Sequence, residues 1–403
     1  MTTDPYPALT TQAVREAVRS KNDEIGGTPF TERSRDGLIV FNYAYAHPGL
    51  FTGPHATVLR ECRGLIFDET EPNAPLSRPY QKFFNLGEVP EEEPHFRDKP
   101  HVILEKLDGS MIRPLLRDNR IIFGTKAGPT DVSQQVDAWA ASRPDLIEWA
   151  RFWVDSGYTP IFEWCSRKMR IVIDYPIDRL VLTGIRNTRT GAYVPYREMR
   201  EAALGGGVDV VQVFDFDTGD RAAFEKYVRG LQDTEGFVVR FHDGYMLKIK
   251  ADAYLKVHKT LDLLRSNRTM IRLIVGGELD DAKSRLRPID VQSVNDFETA
   301  FWAGVAESAR AAHRIAQEAL TDGMTLPVFA QTVATKHPLQ AFLFKAYKGG
   351  LGLKDLETEI RSHLVRLVVQ QNRNDIEALA HCWNHVSWET YRSKAGLAAN
   401  PDA

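Results

Sequence analysis

The sequence predicts an α+β fold: antiparallel sheets in the first two thirds, then an all-α C-terminal part. Two observations predict it. Apolar runs of strand length recur around short polar or glycine turns before His258, and helical periodicity replaces them afterwards. Met111–Leu116 and Arg120–Phe123 flank Asp118-Asn119, Leu180–Arg186 and Ala192–Tyr196 flank Thr190-Gly191, and Phe237–Phe241 and Tyr245–Ile249 flank His242-Asp243-Gly244. Each is a hairpin signal. Helices are expected at Val132–Val154 and Arg221–Gln232. In the C-terminal part, Phe297, Phe301, Val305 and Ala309 share a helical face, and Val328–Tyr347, Leu353–Gln370 and Asn374–Tyr391 continue the pattern, with breaks at Gly349-Gly350 and Asn372-Arg373-Asn374. These readings divide the chain into residues 1–262 and 263–403, with a frayed tail at Gly396–Ala403.

The 403 residues suffice for two or three domains. Hydrophobic content of 43%, charged content of 26% and a net charge of −3 describe an ordinary soluble protein without a global basic field. Three scattered cysteines make no disulfide framework, which points to a reducing cytoplasm. The N-terminal residues carry no apolar leader, and no run of 18 apolar residues occurs, so membrane insertion is not expected.

The most informative motif is Lys106-Leu107-Asp108-Gly109, directly after the apolar run His101–Leu104. Gly109 permits a tight turn, and a lysine at a strand end can act as a nucleophile if neighbouring cations lower its pKa. Lys248 and Lys250, two apart on an expected strand, project from one face. If that face meets Lys106, three ammonium groups converge, and repulsion is expected to free Lys106 for attack; the plain alternative is a solvated edge strand. Glu163 and Glu235 are acids at or within apolar strands, suited to a ribose hydroxyl, a lysine or a hard metal ion. Arg63 and Lys82 are candidates for polyphosphate contacts, and Lys126 lies between small residues where backbone can approach a ligand.

Taken together these segments resemble the covalent nucleotidyltransferases, the superfamily of polynucleotide ligases and mRNA capping enzymes. The closer similarity is to bacteriophage tRNA-repair RNA ligases, carried by Phe41–Tyr45, Glu61–Gly64, Lys82–Leu86, Lys106–Ser110, Gly124–Gly128, Phe162–Trp164, Arg170–Tyr175, Leu180–Arg186, Glu235–Val238 and Leu247–His258. The resemblance implies a nucleotidyltransferase domain followed by a helical RNA-specificity domain. It implies that Lys106 accepts AMP from ATP, that Lys248 and Lys250 hold the α-phosphate, and that Arg63 and Lys82 hold the outer phosphates. Glu163 and Glu235 would serve ribose or Mg²⁺ (or Mn²⁺). Tyr43, Gly109, Lys126 and Tyr254 would be further nucleotide-site residues. The implied partners are ATP and RNA, either nicked tRNA or another structured RNA, with a separate end-healing kinase/phosphatase, and the enzyme is expected to be cytoplasmic and monomeric.

Other signals carry less. His381-Cys382-x-x-His385 puts two histidines four apart on an expected helix, but four zinc ligands are not in view. Gly205-Gly206-Gly207 lacks the lysine and hydroxyl of a P-loop. Trp139, Trp149, Phe152 and Trp153 read as core. DNA ligases and capping guanylyltransferases share the lysine motif, but an OB-fold barrel normally follows it there, whereas helices are expected here. A non-catalytic RNA-binding relative would be expected to lack Lys106 or the lysine pair.

Overall fold

The computed structural model describes residues 6–349 and 351–394, so Gly350 of the expected break and the tail Gly396–Ala403 lie outside the described residues. The chain forms two compact units that divide between Leu255 and Lys256. The division falls inside the helix Asp252–Arg265, ahead of the expected boundary at 262/263. A continuous helix leaves no turn residue in the sequence to mark the join.

The first unit holds twelve strands: β1 (Phe30–Arg35), β2 (Leu38–Tyr43), β3 (Leu65–Asp68), β4 (Phe84–Asn85), β5 (His101–Glu105), β6 (Ser110–Arg117), β7 (Arg120–Gly124), β8 (Tyr158–Cys165), β9 (Arg179–Asn187), β10 (Val213–Phe214), β11 (Gly236–Phe241) and β12 (Met246–Lys250). They make three sheets, in the orders β1-β2-β3, β10-β5-β11-β12-β4 and β7-β6-β8-β9. All pairings are antiparallel except β12 with β4. This is the α+β arrangement expected. The β6–β7 hairpin turns on Asp118 and Asn119 at φ 48° and 59°, the left-handed pair of a two-residue loop. The β11–β12 hairpin also forms.

Two expectations fail. Ala192–Tyr196 makes one isolated bridge, Arg186 to Tyr193, rather than a strand. Pro195 has no N–H to give a ladder and instead starts the helix Tyr196–Gly205. The single helix expected at Val132–Val154 is two, Asp131–Ala140 and Pro144–Asp155, because Pro144 breaks the first and opens the second.

Packing follows the alternation of the strands. Phe30, Phe41, Phe51, Phe67 and Phe84 form one core with Val14 and Ala17 of the helix Thr11–Ile25. Phe162 and Trp164 of β8 form another with Trp149, Ala150 and Met199. Phe152 is exposed, so it departs from the core role expected of it. A buried charge cluster joins distant segments: Glu61 Oε1 accepts from Arg78 Nη2 at 2.8 Å and Arg186 Nη2 at 2.7 Å, and its Oε2 accepts from Arg186 Nη1 at 2.7 Å. Burial alone would raise the Glu61 pKa, but the two guanidinium groups hold it below the usual carboxylate value.

The second unit is helical, with no strand among its described residues. The 34-residue helix Pro288–Thr321 buries Phe297, Phe301, Val305 and Ala309. Gly304 lets it approach the Trp383 carbonyl, which a Cβ would meet at 2.3 Å. The expected helix at Val328–Tyr347 is interrupted, giving Leu326–Thr332 and Gln340–Gly349 on either side of a short 3₁₀ turn and Pro338. Asn374–Tyr391 likewise divides, into the 3₁₀ segment Glu377–Trp383 and the helix Trp388–Lys394. Asn384 and His385 then turn left-handed, so His381 and His385 do not share an α-helical face.

Removing the Glu61 carboxylate leaves two buried guanidinium groups without their counter-charge. Glu61→Gln should therefore lower the unfolding free energy by about 3–5 kcal/mol, read from urea denaturation. A loss below about 1 kcal/mol would show that the cluster is not a structural tie.

Candidate active site

The register of the five-stranded sheet brings three lysines together. β5 runs beside β11 with Glu105 opposite Phe237, and the Lys106 amide donates to the Gly236 carbonyl at 2.9 Å. Gly236 is opposite Lys250 and Val238 opposite Lys248 on β12. Leu247 and Ile249 face the core, so the two lysines share the other face. Gly236 has φ 132°, and a Cβ there would lie 2.0 Å from the Ile249 carbonyl, so the Glu235-Gly236 pair needs its glycine for both conformation and space.

Glu235 is buried and shared. Its Oε2 lies 2.7 Å from Lys106 Nζ, and its Oε1 lies 2.9 Å from Lys250 Nζ. Burial would raise its pKa, but the two ammonium groups overcome this and lower it. The consequence for Lys106 corrects the sequence reading. Burial works against its charge, yet Glu235 and Glu163 outweigh burial and raise its pKa above the ordinary lysine value. Lys106 is thus held as an ammonium, not freed by its basic neighbours. The lysine that loses its proton easily is Lys248: burial, then Lys82, Lys106, Lys250 and Arg63, push its pKa well below the ordinary value.

The other candidates surround this centre. Glu163 sits opposite Met111 in the β6–β8 pair. Burial raises its pKa to about 8; Lys106 opposes the rise and Glu235 adds to it. Arg63 Nη1 lies 3.3 Å from Met111 Sδ, and its guanidinium is 5.8 Å from the Phe83 ring. Lys82 is buried, its Nζ donating to the Phe83 carbonyl at 3.1 Å and standing 4.1 Å from the Phe84 ring centroid. Burial, with Arg63 and Arg60, lowers its pKa to about 8 against the pull of Glu88. Lys126 and Tyr43 meet each other, with Nζ 5.5 Å from the ring centroid. The Lys126 backbone packs so tightly on Gly64 that a Cβ at Gly64 would lie 2.6 Å from the Lys126 carbonyl.

Asp108 is a clamp whose role the sequence did not disclose. Its Oδ1 accepts from the Tyr254 hydroxyl at 2.7 Å, and its Oδ2 accepts from the Val172 and Ile173 amides at 2.7 Å each. Tyr254 therefore commits its hydroxyl to Asp108, while Lys250 Nζ lies 5.1 Å from its ring centroid. Gly109 gives close approach: a Cβ there would meet the Trp164 carbonyl at 2.3 Å. A pocket of about 370 Å³ opens beside Lys248 and Lys250, lined also by Asn85, Leu86, Arg229 and Leu255. Lys248, Lys250 and Arg229 give this pocket a cationic wall suited to a phosphorylated ligand, while Lys106 is not among its lining residues. Among the described residues no cluster of three or more His, Cys, Asp or Glu side chains could hold a metal ion, so a hard cation here would need a ligand's phosphates as partners. Both Glu235 oxygens are engaged by lysines, which leaves Glu163 as the carboxylate better able to take oxygen-loving Mg²⁺ or Mn²⁺.

The buried Glu61 cluster beside Arg63 is a further feature that no single sequence motif announces. Glu61 lies two residues from Arg63, so an acid bracketed by two arginines was the available signal.

Arg63, Lys82, Lys106, Lys126, Glu163, Glu235, Lys248, Lys250 and Tyr254 are thus the candidates for a phosphate-binding site. The sequence profile of the RNA ligase family matches residues 61–254, a span that contains all nine. Over that segment the chain is similar to the RNA ligase family. A putative RNA ligase of Thermovibrio ammonificans is 28% identical over 268 residues, 64% of this chain and 68% of the relative. RNA ligase 1 of bacteriophage TS2126 is 30% identical over 222 residues, 51% of this chain and 53% of the relative. An archaeal ATP-dependent RNA ligase structure overlays 64% of this chain and 68% of its own, at 15% identity and a TM-score of 0.44.

The raised Glu163 pKa predicts a pH signature in metal-free protein. Between the ordinary carboxylate value of 4.5 and about 8, the folded state binds the Glu163 proton and the unfolded state does not. Stability should therefore fall as pH rises through that window. Glu163→Gln should remove this component, so the urea midpoint of the variant gains on the wild type from pH 5 to about 8. Parallel curves would show that Glu163 titrates normally.

Proposed function

We propose that the protein is an ATP-dependent RNA ligase that joins 5′-phosphate and 3′-hydroxyl ends through a lysyl-AMP intermediate, acting in repair of cleaved tRNA. The observation that carries the reading is the Lys106 amine paired with Glu235 at 2.7 Å on a floor shared by Lys248 and Lys250. Lys106 Nζ attacks the α-phosphate of ATP, forming a P–N bond as the bond to pyrophosphate breaks. A 5′-phosphate oxygen of RNA then displaces Lys106 and takes the AMP. The RNA 3′-hydroxyl finally attacks that phosphate, and AMP leaves. Lys248 and Lys250 hold the transferring phosphate, and Arg63 and Lys82 hold the outer ones. Glu235 aims Lys106 and Lys250 from one rigid acceptor, which supplies positioning. A divalent cation held by Glu163 would neutralise phosphate charge and oppose the proton on Lys106.

The wholly helical second unit supports RNA ligation over DNA ligation or capping, because no barrel strand follows Lys250 among the described residues. In this reading the helical unit selects the RNA, the enzyme works as a cytoplasmic monomer, and a separate end-healing kinase/phosphatase prepares the termini.

Incubation with Mg²⁺ and α-labelled ATP should leave denaturation-resistant label on the wild type and none on Lys106→Ala. Lys248→Ala and Lys250→Ala should each slow labelling by about a hundredfold. An adduct that survives Lys106→Ala sinks the assignment, and label from GTP alone moves it to capping chemistry. Because the nucleophile must shed a tightly held proton, the single-turnover labelling rate should climb about tenfold per pH unit from pH 6 to 8. A flat profile would mean that Lys106 is already neutral in the ATP complex.

A further inference from the structure

Arg113 has no part in the roles assigned so far, yet it lies on the four-stranded sheet that also carries Glu163. On β6, Met111 is opposite Glu163, and Arg113, two residues on, projects to the same side. It is fully buried, opposite Gly124. Its Nη2 donates to the Gly64 carbonyl at 2.5 Å. Gly64 has φ 83°, and its carbonyl carries the chain directly on from Arg63. The guanidinium therefore lies beneath the junction of the Arg63-Gly64 backbone and the Thr125–Gly128 turn.

What it lacks is a counter-charge. Its Nε and Nη1 are buried with no hydrogen-bond partner among the described residues. Burial, and then the like charge of Arg63, lower its pKa to about 9. Keeping an uncompensated buried cation costs several kcal/mol. Glu61, the buried acid three residues before Gly64, is already taken by Arg78 and Arg186. A cation held here against its own electrostatics needs an anion that arrives from outside.

We propose that Arg113 is a positioning residue for a pyrophosphate group: it fixes the Gly64 carbonyl, and so Arg63, and adds a second layer of positive charge beneath the outer phosphates. The part of this inference that concerns nucleoside triphosphate rests on the ligase reading. The part that concerns inorganic pyrophosphate does not. Charge from this layer acts on the outer phosphates and leaves the α-phosphate and adenosine contacts untouched, so ligands with and without outer phosphates separate it from a merely structural arginine.

The test is calorimetric titration of wild type, Arg113→Met and Arg113→Lys with inorganic pyrophosphate and, separately, with AMP. Arg113→Met should raise the pyrophosphate Kd about tenfold or more while changing the AMP Kd less than about twofold, and Arg113→Lys should fall between wild type and Met. Unchanged pyrophosphate affinity, or equal loss for both ligands, overturns the inference. If the methionine variant does not fold, Arg113→Lys decides: a selective pyrophosphate loss of about threefold supports the role, and none overturns it. Wild type that binds pyrophosphate, with the selective loss, but never takes label from ATP keeps this inference and removes the ligase reading. Wild type that binds neither ligand removes both.

Discussion

One carboxylate organises the site. Glu235 divides its two oxygens between Lys106, at the end of β5, and Lys250, on β12. It can do so because Gly236 takes a backbone conformation and a closeness to Ile249 that a side chain would forbid. The buried acid would be costly alone and so would the lysines, but shared between them the charges are mutually compensated. Without this bridge, Lys106 would lose the acid that offsets the like charge of Lys248 beside it.

The balance is uneven, and the unevenness assigns roles. Lys106 has acids beside it and keeps its proton. Lys248 has mainly cations beside it and gives its proton up readily. An anionic ligand reverses the penalty on Lys248, Lys82 and Arg113, so phosphate binding releases electrostatic strain built into the fold. Farther out, Glu61 with Arg78 and Arg186 anchors the chain two residues before Arg63, while Asp108 anchors the chain two residues after Lys106. Arg63 and Lys106 thus each lie two residues from a buried, hydrogen-bonded acid.

Much of this was legible in the sequence. Strand alternation revealed that Lys248 and Lys250 share a face, and the Asp118-Asn119 and Asp243-Gly244 turns revealed two hairpins, because period-two patterning and left-handed turns leave local marks. The convergence of Lys106 on that face also came through. The direction of the Lys106 shift did not, since it depends on a salt bridge between residues 129 positions apart in register, which no local pattern encodes. Asp108 looked like part of the catalytic motif, and its bonds to Val172, Ile173 and Tyr254 are all long-range. Arg113 lies inside the apolar run Met111–Leu116 with no local mark, and its buried, unbonded Nε and Nη1 show only in the structure. Pro144 and Pro195 override the apolar periodicity around them, because a proline gives no N–H to a helix interior or a strand ladder.

The central claim is that Glu235 holds Lys106 protonated until a ligand arrives. Competitive acylation of lysines across pH, with Lys106 followed by peptide mass spectrometry, measures this in ligand-free protein. The account predicts that Lys106 in wild type titrates above the ordinary lysine value of 10.5 and that Glu235→Gln moves it downward. A wild-type Lys106 that titrates below that value, unchanged by Glu235→Gln, would contradict it.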